Sequence, residues 1–219
     1  MDKISLEEAK KIKLMNRIDR KYVINFDQYC SLTEYIVSNY YIVVNNEDNF
    51  LLKYKSIYFD TNNYDMYTDH KNDIDNRQKI RIREYENGDK FLEIKTKKKD
   101  SHTQKIRIVT DSYSIDGYKE WIKNNLHYDI NTLNEKIEIE FRRITVINKE
   151  KNERITIDFG INFYNYMTKI KNRIPEIIVE VKKLTEDKTN FEKRLNDLGV
   201  YETKFSKYHT GINLTQKEF

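Results

Sequence analysis

The sequence is poor in residues that interrupt or cross-link a chain: its 219 residues include one proline, five glycines and one cysteine. Because flexible linkers are rich in glycine, proline and serine, their scarcity predicts one continuous domain over residues 1–219. The lone cysteine, Cys30, excludes an internal disulfide framework and a cysteine-based zinc site. It is compatible with a reducing compartment.

Long apolar runs are also missing, since no segment approaches the roughly 18 uncharged apolar residues of a membrane-spanning helix. The first residues are charged and lack the apolar core of a signal peptide. We therefore expect a cytoplasmic protein with no direct membrane insertion, for which a separate membrane-protein partner is possible. The 40 Lys and Arg against 36 Asp and Glu give a net charge of only +4, which is no signature of a nucleic-acid binder.

Alternation of charged and apolar residues is the strongest pattern present. In residues 79–83, three cations (Lys79, Arg81, Arg83) alternate with two isoleucines. Because successive side chains of a strand point to opposite faces, such segments predict strands with one charged face. Segments with this alternation are 79–83, 91–96, 105–108, 154–158 and 177–182, and further strands are expected at 20–24, 54–59 and 137–146.

Helices are expected where apolar residues recur at helical spacing over a longer stretch. The segments are 26–38, 114–126, 190–197 and 206–214. Asn87-Gly88 predicts a tight hairpin between the strands at 79–83 and 91–96, because this pair accepts positive φ. About eight strands with few helices predict an antiparallel α+β domain.

The charged faces admit two interpretations. Each strand taken alone is explained by a face exposed to water. However, Lys79, Arg81 and Arg83 are neighbours on one face and repel one another unless an anion lies among them. If the sheet closes with its apolar face outward, the charged face becomes a lumen that suits a phosphate chain, and carboxylates among the cations suit Mg²⁺ or Mn²⁺.

The sequence resembles the triphosphate tunnel metalloenzymes, a CYTH-like superfamily, and within them the VTC domain of polyphosphate polymerases. The motifs that carry the resemblance are Arg17–Tyr22, Ser56–Thr61, Lys79–Tyr85, Phe91–Thr96, Phe141–Arg143, Arg154–Asp158, Ile178–Lys182 and Lys204–Tyr208. The Lys-Phe-Ser-Lys-Tyr segment at 204–208, after a Glu-Val-Lys strand, is specific to the VTC branch. The CYTH branch begins with Glu-x-Glu-x-Lys, where this chain has Arg17-x-Asp19-x-Lys21, so a CYTH-type hydrolytic site is less expected.

The resemblance implies an eight-stranded antiparallel closed β tunnel with a charged lumen, flanked by helices. It also implies a divalent metal, Mn²⁺ or Mg²⁺, and transfer of the γ-phosphate of ATP onto inorganic polyphosphate. Expected catalytic residues are Lys21, Arg81, Arg83 and Lys207. Expected substrate-binding residues are Lys79, Lys95, Lys105, Arg107, Arg143, Arg154, Lys182, Lys204 and Ser206. Expected metal ligands are Glu180 and, with the alternative role of positioning Lys95, Glu93.

Two details qualify these assignments. Arg143 has the strand parity of Ile139 and Phe141, so a lumen position requires a bulge. Tyr58, Tyr64 and Tyr67 are interpreted as core and hydrogen-bonding residues rather than a base-stacking surface.

Two rival functions share the expected tunnel. In the first, water replaces polyphosphate as the acceptor, which gives a metal-dependent inorganic or nucleoside triphosphatase. In the second, the domain binds polyphosphate or inositol polyphosphates without turnover. No nucleic-acid partner is expected under any of these readings.

Overall fold

The structure is a computed structural model that describes residues 1–12, 14, 17–98 and 103–216. The chain forms two compact units. The first unit contains Met1–Leu52, Phe141–Ile161 and Ile174–Phe205, and the second contains Lys53–Glu140, Asn162–Arg173 and the residues from Ser206 onward. A single domain over the whole chain therefore stays a prediction.

Eleven strands and six α-helices lie within the described residues. The strands are β1 (Lys3–Ser5), β2 (Ile18–Ile24), β3 (Tyr40–Val44), β4 (Leu52–Asp60), β5 (Arg77–Tyr85), β6 (Lys90–Lys97), β7 (Thr103–Thr110), β8 (Asn134–Asn148), β9 (Glu153–Asn165), β10 (Lys171–Ile174) and β11 (Ile177–Lys183). The helices are α1 (Leu6–Lys11), α2 (Phe26–Asn39), α3 (Asp65–Lys71), α4 (Lys119–Asn125), α5 (Asn190–Asp197) and α6 (Lys207–Thr215). Short 3₁₀ turns cover Asp116–Tyr118 and Ile130–Thr132.

In the first unit the strand order is β2-β11-β9-β8, with β3 beside β8 and β1 parallel to β3. The apolar faces of β2, β9 and β11 pack against α2 and α5, in a core that includes Tyr22, Ile157, Val179, Leu32 and Phe191. Burying a side chain of this size contributes about 1.5–3 kcal/mol. The opposite faces of these strands therefore carry the charged residues.

In the second unit the order is β8-β4-β5-β6-β7. Ile80, Ile82, Leu92 and Ile94 are at most 1% exposed and form a core with Ile122 of α4. As the alternation in the sequence predicts, the isoleucine and leucine side chains of β5 and β6 point into this core. Their charged residues lie on the other face.

The predicted fold class is confirmed. β8 and β9 run through both units, and the main path contains eight antiparallel strands flanked by helices. Each of the eight predicted strands is present, with bounds extended by one to several residues, and the hairpin turn has Gly88 at φ +84°. The helix predicted at 114–126 is shorter: α4 begins at Lys119 and follows the 3₁₀ turn.

The sequence did not predict α1 and α3. The first is too short to show helical periodicity, and the second is capped by a residue that lies several positions before it. α1 has six residues, although Ser5 and Glu8 form a capping box at its start. α3 follows Tyr64, which has φ +59° and makes no side-chain cap. Its first amides are bound instead by Asp60, the last residue of β4: Met66 N donates to Oδ1 (3.0 Å) and Tyr67 N to Oδ2 (2.9 Å). Within the described residues, no helix combines the length and apolar character needed to cross a membrane.

Candidate phosphate-binding site

The polar face of β5, β6 and β7 concentrates cations in the second unit. Lys79 lies opposite Lys95, and Lys95 lies opposite Lys105 on the next strand. Arg81 lies opposite Glu93, which lies opposite Arg107. Like charges directly across a strand pair destabilise it unless an anion compensates them. We refer to Lys79, Arg81, Arg83, Glu93 and Lys105 as the Glu93 group.

Glu93 is the internal anion of this group and is 1% exposed. Its Oε2 accepts from Arg81 Nε (2.9 Å) and Nη2 (2.6 Å), and its Oε1 accepts from Lys105 Nζ (2.9 Å). Burial alone would raise the pKa of Glu93, but Arg81, Arg83 and Lys105 outweigh burial and lower it far below its ordinary value. Both carboxylate oxygens are therefore engaged by cations.

Tyr58 links this group to the tyrosines beside it. Arg81 Nη1 donates to the Tyr58 hydroxyl at 2.7 Å, and Arg83 Nε donates to Ser56 Oγ at 3.0 Å. Burial opposes ionisation of Tyr58, yet Arg81, Arg83 and Lys207 together lower its pKa. Arg81 is thus held by Glu93 and by a neutral oxygen of β4, and Arg83 by the Ser56 hydroxyl of the same strand.

The start of α6 belongs to the same unit and contacts the same strand. Lys79 Nζ donates to Ser206 Oγ at 2.9 Å, and Ser206 caps α6 by accepting from His209 N. Tyr208 donates its hydroxyl proton to Asp60 Oδ2 at 2.6 Å and stacks on Tyr58 with 5.2 Å between ring centroids. Asp60 is fully buried and raises the pKa of Tyr208, where burial is the largest cause. The Lys-Phe-Ser-Lys-Tyr segment is therefore anchored by its tyrosine.

Gly211 lets α6 approach the sheet. A Cβ at this position would lie 2.5 Å from Ile137 Cδ1 and 2.5 Å from Phe163 Cδ1, closer than any side chain tolerates. Only glycine fits without displacing the helix. The position of Ser206 and Lys207 depends on this contact, because both residues stand at the start of α6.

A second charged group lies in the first unit on the polar faces of β2, β8 and β11. We refer to Lys21, Arg143, Glu180 and Lys182 as the Glu180 group. Glu180 lies opposite Lys21 in the register of β11 and β2, and its Oε2 accepts from Lys182 Nζ. Burial would raise the pKa of Glu180, but Lys182, Lys21 and Arg143 lower it well below the ordinary value. Glu180 is therefore a carboxylate at any physiological pH.

Arg143 and Lys21 are held by further contacts in this unit. Arg143 makes a two-pronged ion pair with Asp158, with Nε–Oδ1 at 2.5 Å and Nη2–Oδ2 at 2.7 Å. Lys21 Nζ donates to the carbonyl of Phe205 at 2.7 Å. The buried apolar positions of β8 are Ile137, Ile139 and Phe141 in its first half, and Ile144 and Val146 resume the alternation with the opposite parity. This change of parity places Arg143 with the charged residues, as the bulge required.

Arg154 has partners that its sequence position did not suggest. Its Nη2 donates to the carbonyls of Ala9 (2.6 Å) and Ile12 (3.1 Å), and its Nε is buried without a hydrogen bond from the described residues. Burial and then Arg17 lower the pKa of Arg154. A phosphate role for Arg154 therefore stays a prediction.

The remaining predicted residues are more exposed. Arg107 lies over the ring of Phe91, with 4.4 Å from Cζ to the ring centroid. Lys95 and Lys204 are exposed, and Lys207 is half-buried. A phosphate-binding role for these four cations stays a prediction.

No preformed metal cage lies within residues 1–12, 14, 17–98 and 103–216, since no group of three or more His, Cys, Asp or Glu side chains could hold a metal ion there. A single carboxylate can still contribute to binding Mg²⁺ or Mn²⁺. Mg²⁺ and Mn²⁺ bind readily through one or two carboxylates when substrate phosphates and water supply the other oxygens. Glu180, ionised and with one oxygen on Lys182, fits that description better than Glu93.

Several residues with evident roles were missed from sequence. Asp60, Asp158 and Tyr208 hold cations or α6 and lie within motifs quoted above without a role of their own. Tyr58, which was expected to be a core and hydrogen-bonding residue, accepts from Arg81. The sequence feature that could have identified such residues is a polar residue next to an apolar run. Asp60, which follows Ile57–Phe59, is an example.

The sequence profile of the VTC domain family matches residues 16–216, and the chain belongs to this family. No curated protein matches the chain. Three of the matching solved structures show the fold of this chain. A candidate adenylate cyclase from Bacillus halodurans is 13% identical, with a TM-score of 0.57 over 88% of this chain and 96% of that one.

The other two solved structures are equally distant in sequence. A candidate adenylyl cyclase from Hippeastrum, described as having a dominant triphosphatase activity, is 12% identical with a TM-score of 0.57, covering 92% of this chain and 97% of that one. The PH1819 protein from Pyrococcus horikoshii is 18% identical with a TM-score of 0.52, covering 90% and 98%. At such identities the likeness shows the fold.

Proposed function

We propose that this protein is a metal-dependent phosphotransferase that moves the γ-phosphate of ATP onto a polyphosphate chain. The observation that carries the proposal is the Glu93 group in a chain of the VTC domain family. Lys79, Lys95 and Lys105 lie opposite one another across β5, β6 and β7, beside the buried Glu93 that pairs with Arg81 and Lys105. Neighbouring arginine and lysine side chains on one face suit an anion with several oxygens, such as a phosphate chain.

The cations have distinct tasks in this proposal. Arg81 and Arg83 are pre-oriented by Glu93, Tyr58 and Ser56, so little side-chain freedom is lost when they bind phosphate oxygens. Lys79, held by Ser206, brings α6 and Lys207 to the same strand. Lys21, Arg143 and Lys182 bind phosphate oxygens in the first unit. Lys95, Lys105, Arg107, Arg154 and Lys204 are proposed to assist as substrate-binding cations.

Phosphoryl transfer needs positioning and charge neutralisation more than acid–base chemistry. The bond between the γ-phosphorus and the β–γ bridging oxygen breaks, a terminal oxygen of polyphosphate bonds to that phosphorus, and ADP leaves. Arginine N–H groups stabilise the negative charge that spreads over the equatorial oxygens. Within the protein, Glu180 would hold Mn²⁺ or Mg²⁺, which supplies further neutralisation of the phosphates when bound. A metal role for Glu93 stays a prediction.

Product analysis tests the proposal. The protein is incubated with ATP and Mn²⁺ or Mg²⁺, and ³¹P NMR separates internal polyphosphate phosphorus from orthophosphate and pyrophosphate. We expect internal polyphosphate signals that rise with ADP. Arg81→Gln should reduce the rate by at least about 100-fold, the scale of losing a transition-state donor. Lys119→Gln is a matched control, because Lys119 is exposed and forms a surface ion pair with the exposed Asp116.

A triphosphatase is the second candidate, favoured by the activity described for the Hippeastrum protein that shares the fold. It predicts orthophosphate without internal polyphosphate signals in the same experiment. A binding module predicts tight binding of tripolyphosphate and no product with any metal. Arg17 stands where the CYTH pattern has its first glutamate, which makes a CYTH-type hydrolytic site less expected, and the Lys204–Tyr208 segment of the VTC type favours polyphosphate as acceptor. A cytoplasmic location and a separate membrane-protein partner accompany the proposal as predictions.

A further inference from the structure

The charged face of the second unit changes in chemistry along β5. Its same-face positions are Lys79, Arg81, Arg83 and Tyr85, so the cations of the Glu93 group are followed by an aromatic ring. Successive same-face positions lie about 7 Å apart along a strand. The start of α6 contacts Lys79, at the opposite end of the row from Tyr85. A ligand that lies along β5 therefore contacts cations near α6 and aromatic side chains at its far end.

An aromatic and apolar patch extends from Tyr85 across the neighbouring strands. The Tyr85 ring packs edge-to-face against Tyr54 and Phe91, with centroid distances of 5.3 and 5.7 Å. Phe91 lies opposite Val109 in the register of β6 and β7. Val109 is 71% exposed, although it is apolar and lies on the same face as the Glu93 group. We refer to Tyr85, Phe91, Arg107 and Val109 as the Phe91 patch.

Arg107 contributes a guanidinium group to this patch. It lies opposite Glu93 in the register, but Arg81 and Lys105 already occupy both oxygens of that carboxylate. Within the described residues Arg107 makes neither a hydrogen bond nor an ion pair, and its Cζ lies 4.4 Å from the centroid of the Phe91 ring. The side chain is exposed. Phe91 therefore holds Arg107 while the rest of the guanidinium group stays accessible to a ligand.

The chemistry of the patch suits a nucleobase better than a further phosphate. A phosphate placed against Val109 and the aromatic rings would lose water without gaining a hydrogen bond from them. A nucleobase is flat, stacks on arginine guanidinium planes and on aromatic rings, and can cover an exposed apolar side chain. The free guanidinium group and the exposed Val109 lie two residues apart on one face of β7, as such a ligand requires.

We propose that the Phe91 patch binds the nucleobase of a nucleoside triphosphate, stacked on the guanidinium group of Arg107 and covering Val109. This inference rests on the proposed function, because the base reaches the patch only when the phosphates lie on the Glu93 group. Arg81 and Tyr85 are four residues apart, about 13 Å along β5, so the nucleoside lies at the end remote from α6. Stacking tolerates any base, so the patch favours nucleotides over inorganic triphosphates without selecting adenine.

A comparison of ATP with ribose 5-triphosphate, which has the same phosphate ester but no base, tests the proposal. Binding of each ligand to the full chain is measured by calorimetry without metal. We expect ATP to bind at least about fivefold more tightly, the low end of a base-stacking contribution. In NMR spectra, the adenine ring current should shift the Arg107 Nε–H and Val109 amide signals with ATP but not with ribose 5-triphosphate.

Arg107→Lys separates stacking from charge, because it keeps the positive charge and removes the planar group. It should abolish the preference for ATP while changing the affinity for ribose 5-triphosphate by less than about threefold. Arg173→Lys is the matched control, because Arg173 is an exposed arginine of β10 in the same unit and has no part in either proposal. It should leave the preference for ATP unchanged.

The outcomes distinguish the nucleobase site from the proposed function. Equal binding of ATP and ribose 5-triphosphate, a preference that survives Arg107→Lys, or ring-current shifts located elsewhere would each overturn the nucleobase site and leave the phosphate site intact. Absence of binding by both ligands would contradict the proposed function, and the nucleobase site with it.

Discussion

The Glu93 and Glu180 groups both place a carboxylate among cations, but the two carboxylates are held differently. Glu93 is almost fully buried, and three N–H donors from Arg81 and Lys105 occupy both of its oxygens. Glu180 is half-buried, and its hydrogen bond comes from Lys182, two residues along the same strand. A lowered pKa is common to both.

The difference indicates separate roles for similar residues. A carboxylate whose oxygens are saturated by arginine and lysine organises those cations and resists replacement by a metal. A carboxylate with one local partner can exchange that partner for a harder cation when phosphates arrive. The alternation predicts that Glu93 and Glu180 both lie on the charged face of their strands. The number of hydrogen-bond donors on each carboxylate then distinguishes a residue that positions cations from a candidate metal ligand.

The largest expected effect is on stability when Glu93 loses its charge. Glu93→Gln leaves Arg81 without its ionic partner in a buried setting, which should lower the free energy of unfolding by on the order of 3 kcal/mol. Urea unfolding followed by circular dichroism measures this. Glu180→Gln should cost less than half as much. Equal losses in the two variants would remove the contrast between the groups.

Gly211→Ala should also destabilise the second unit, by about 2 kcal/mol, because the added Cβ collides with Ile137 and Phe163. Displacement of α6 should weaken metal-free tripolyphosphate binding through Ser206 and Lys207. Gly117→Ala is the matched control, since the described residues place no atom within 4 Å of its added Cβ, apart from Gly117 itself and its two chain neighbours. Calorimetric unfolding and a binding titration check both effects; a fully stable Gly211→Ala protein would argue against the close approach.

Tyr208→Phe removes the donor to Asp60 while three backbone N–H groups still bind that carboxylate. We expect a loss of about 1 kcal/mol in the free energy of unfolding. Tyr201→Phe, at an exposed tyrosine, should be neutral. Because the anchor belongs to the second unit, tripolyphosphate binding should weaken while the effect of Mn²⁺ on that binding persists. If Tyr208→Phe abolished the effect of Mn²⁺ on tripolyphosphate binding, the separation of the α6 anchor from the metal site would be contradicted.

The smallest effect concerns acid stability. The pKa of Glu93 is lowered in the folded chain, so its stabilising contribution is complete above the unfolded value of about 4.3 and is lost as the pH falls below it toward the folded pKa. Between about pH 6 and about pH 3, the urea midpoint of the wild type should fall more steeply than that of Glu93→Gln. Parallel curves for the two proteins would show that Glu93 has an ordinary pKa.

Much of the fold was predictable because alternation is a local signal. Residues 79–83 and 177–182 show which side chains share a face, and the register of β5, β6 and β11 agrees with it. The partners of those side chains are not local. Ser206 reaches Lys79 across 127 positions, Asp60 caps a helix from outside it, and Arg154 meets carbonyls near the start of the chain. Sequence spacing carries no record of such contacts.

The assignment of Glu180 to the metal is tested most directly by the effect of Mn²⁺ on tripolyphosphate binding, measured by calorimetry with and without the metal. In the wild type, Mn²⁺ should tighten binding by at least about tenfold, a typical coupling. Glu180→Gln should abolish this tightening but retain metal-free binding, whereas Glu93→Gln should weaken metal-free binding and keep the ratio. Undiminished tightening in Glu180→Gln, or its loss only in Glu93→Gln, would contradict the roles assigned to the two carboxylates.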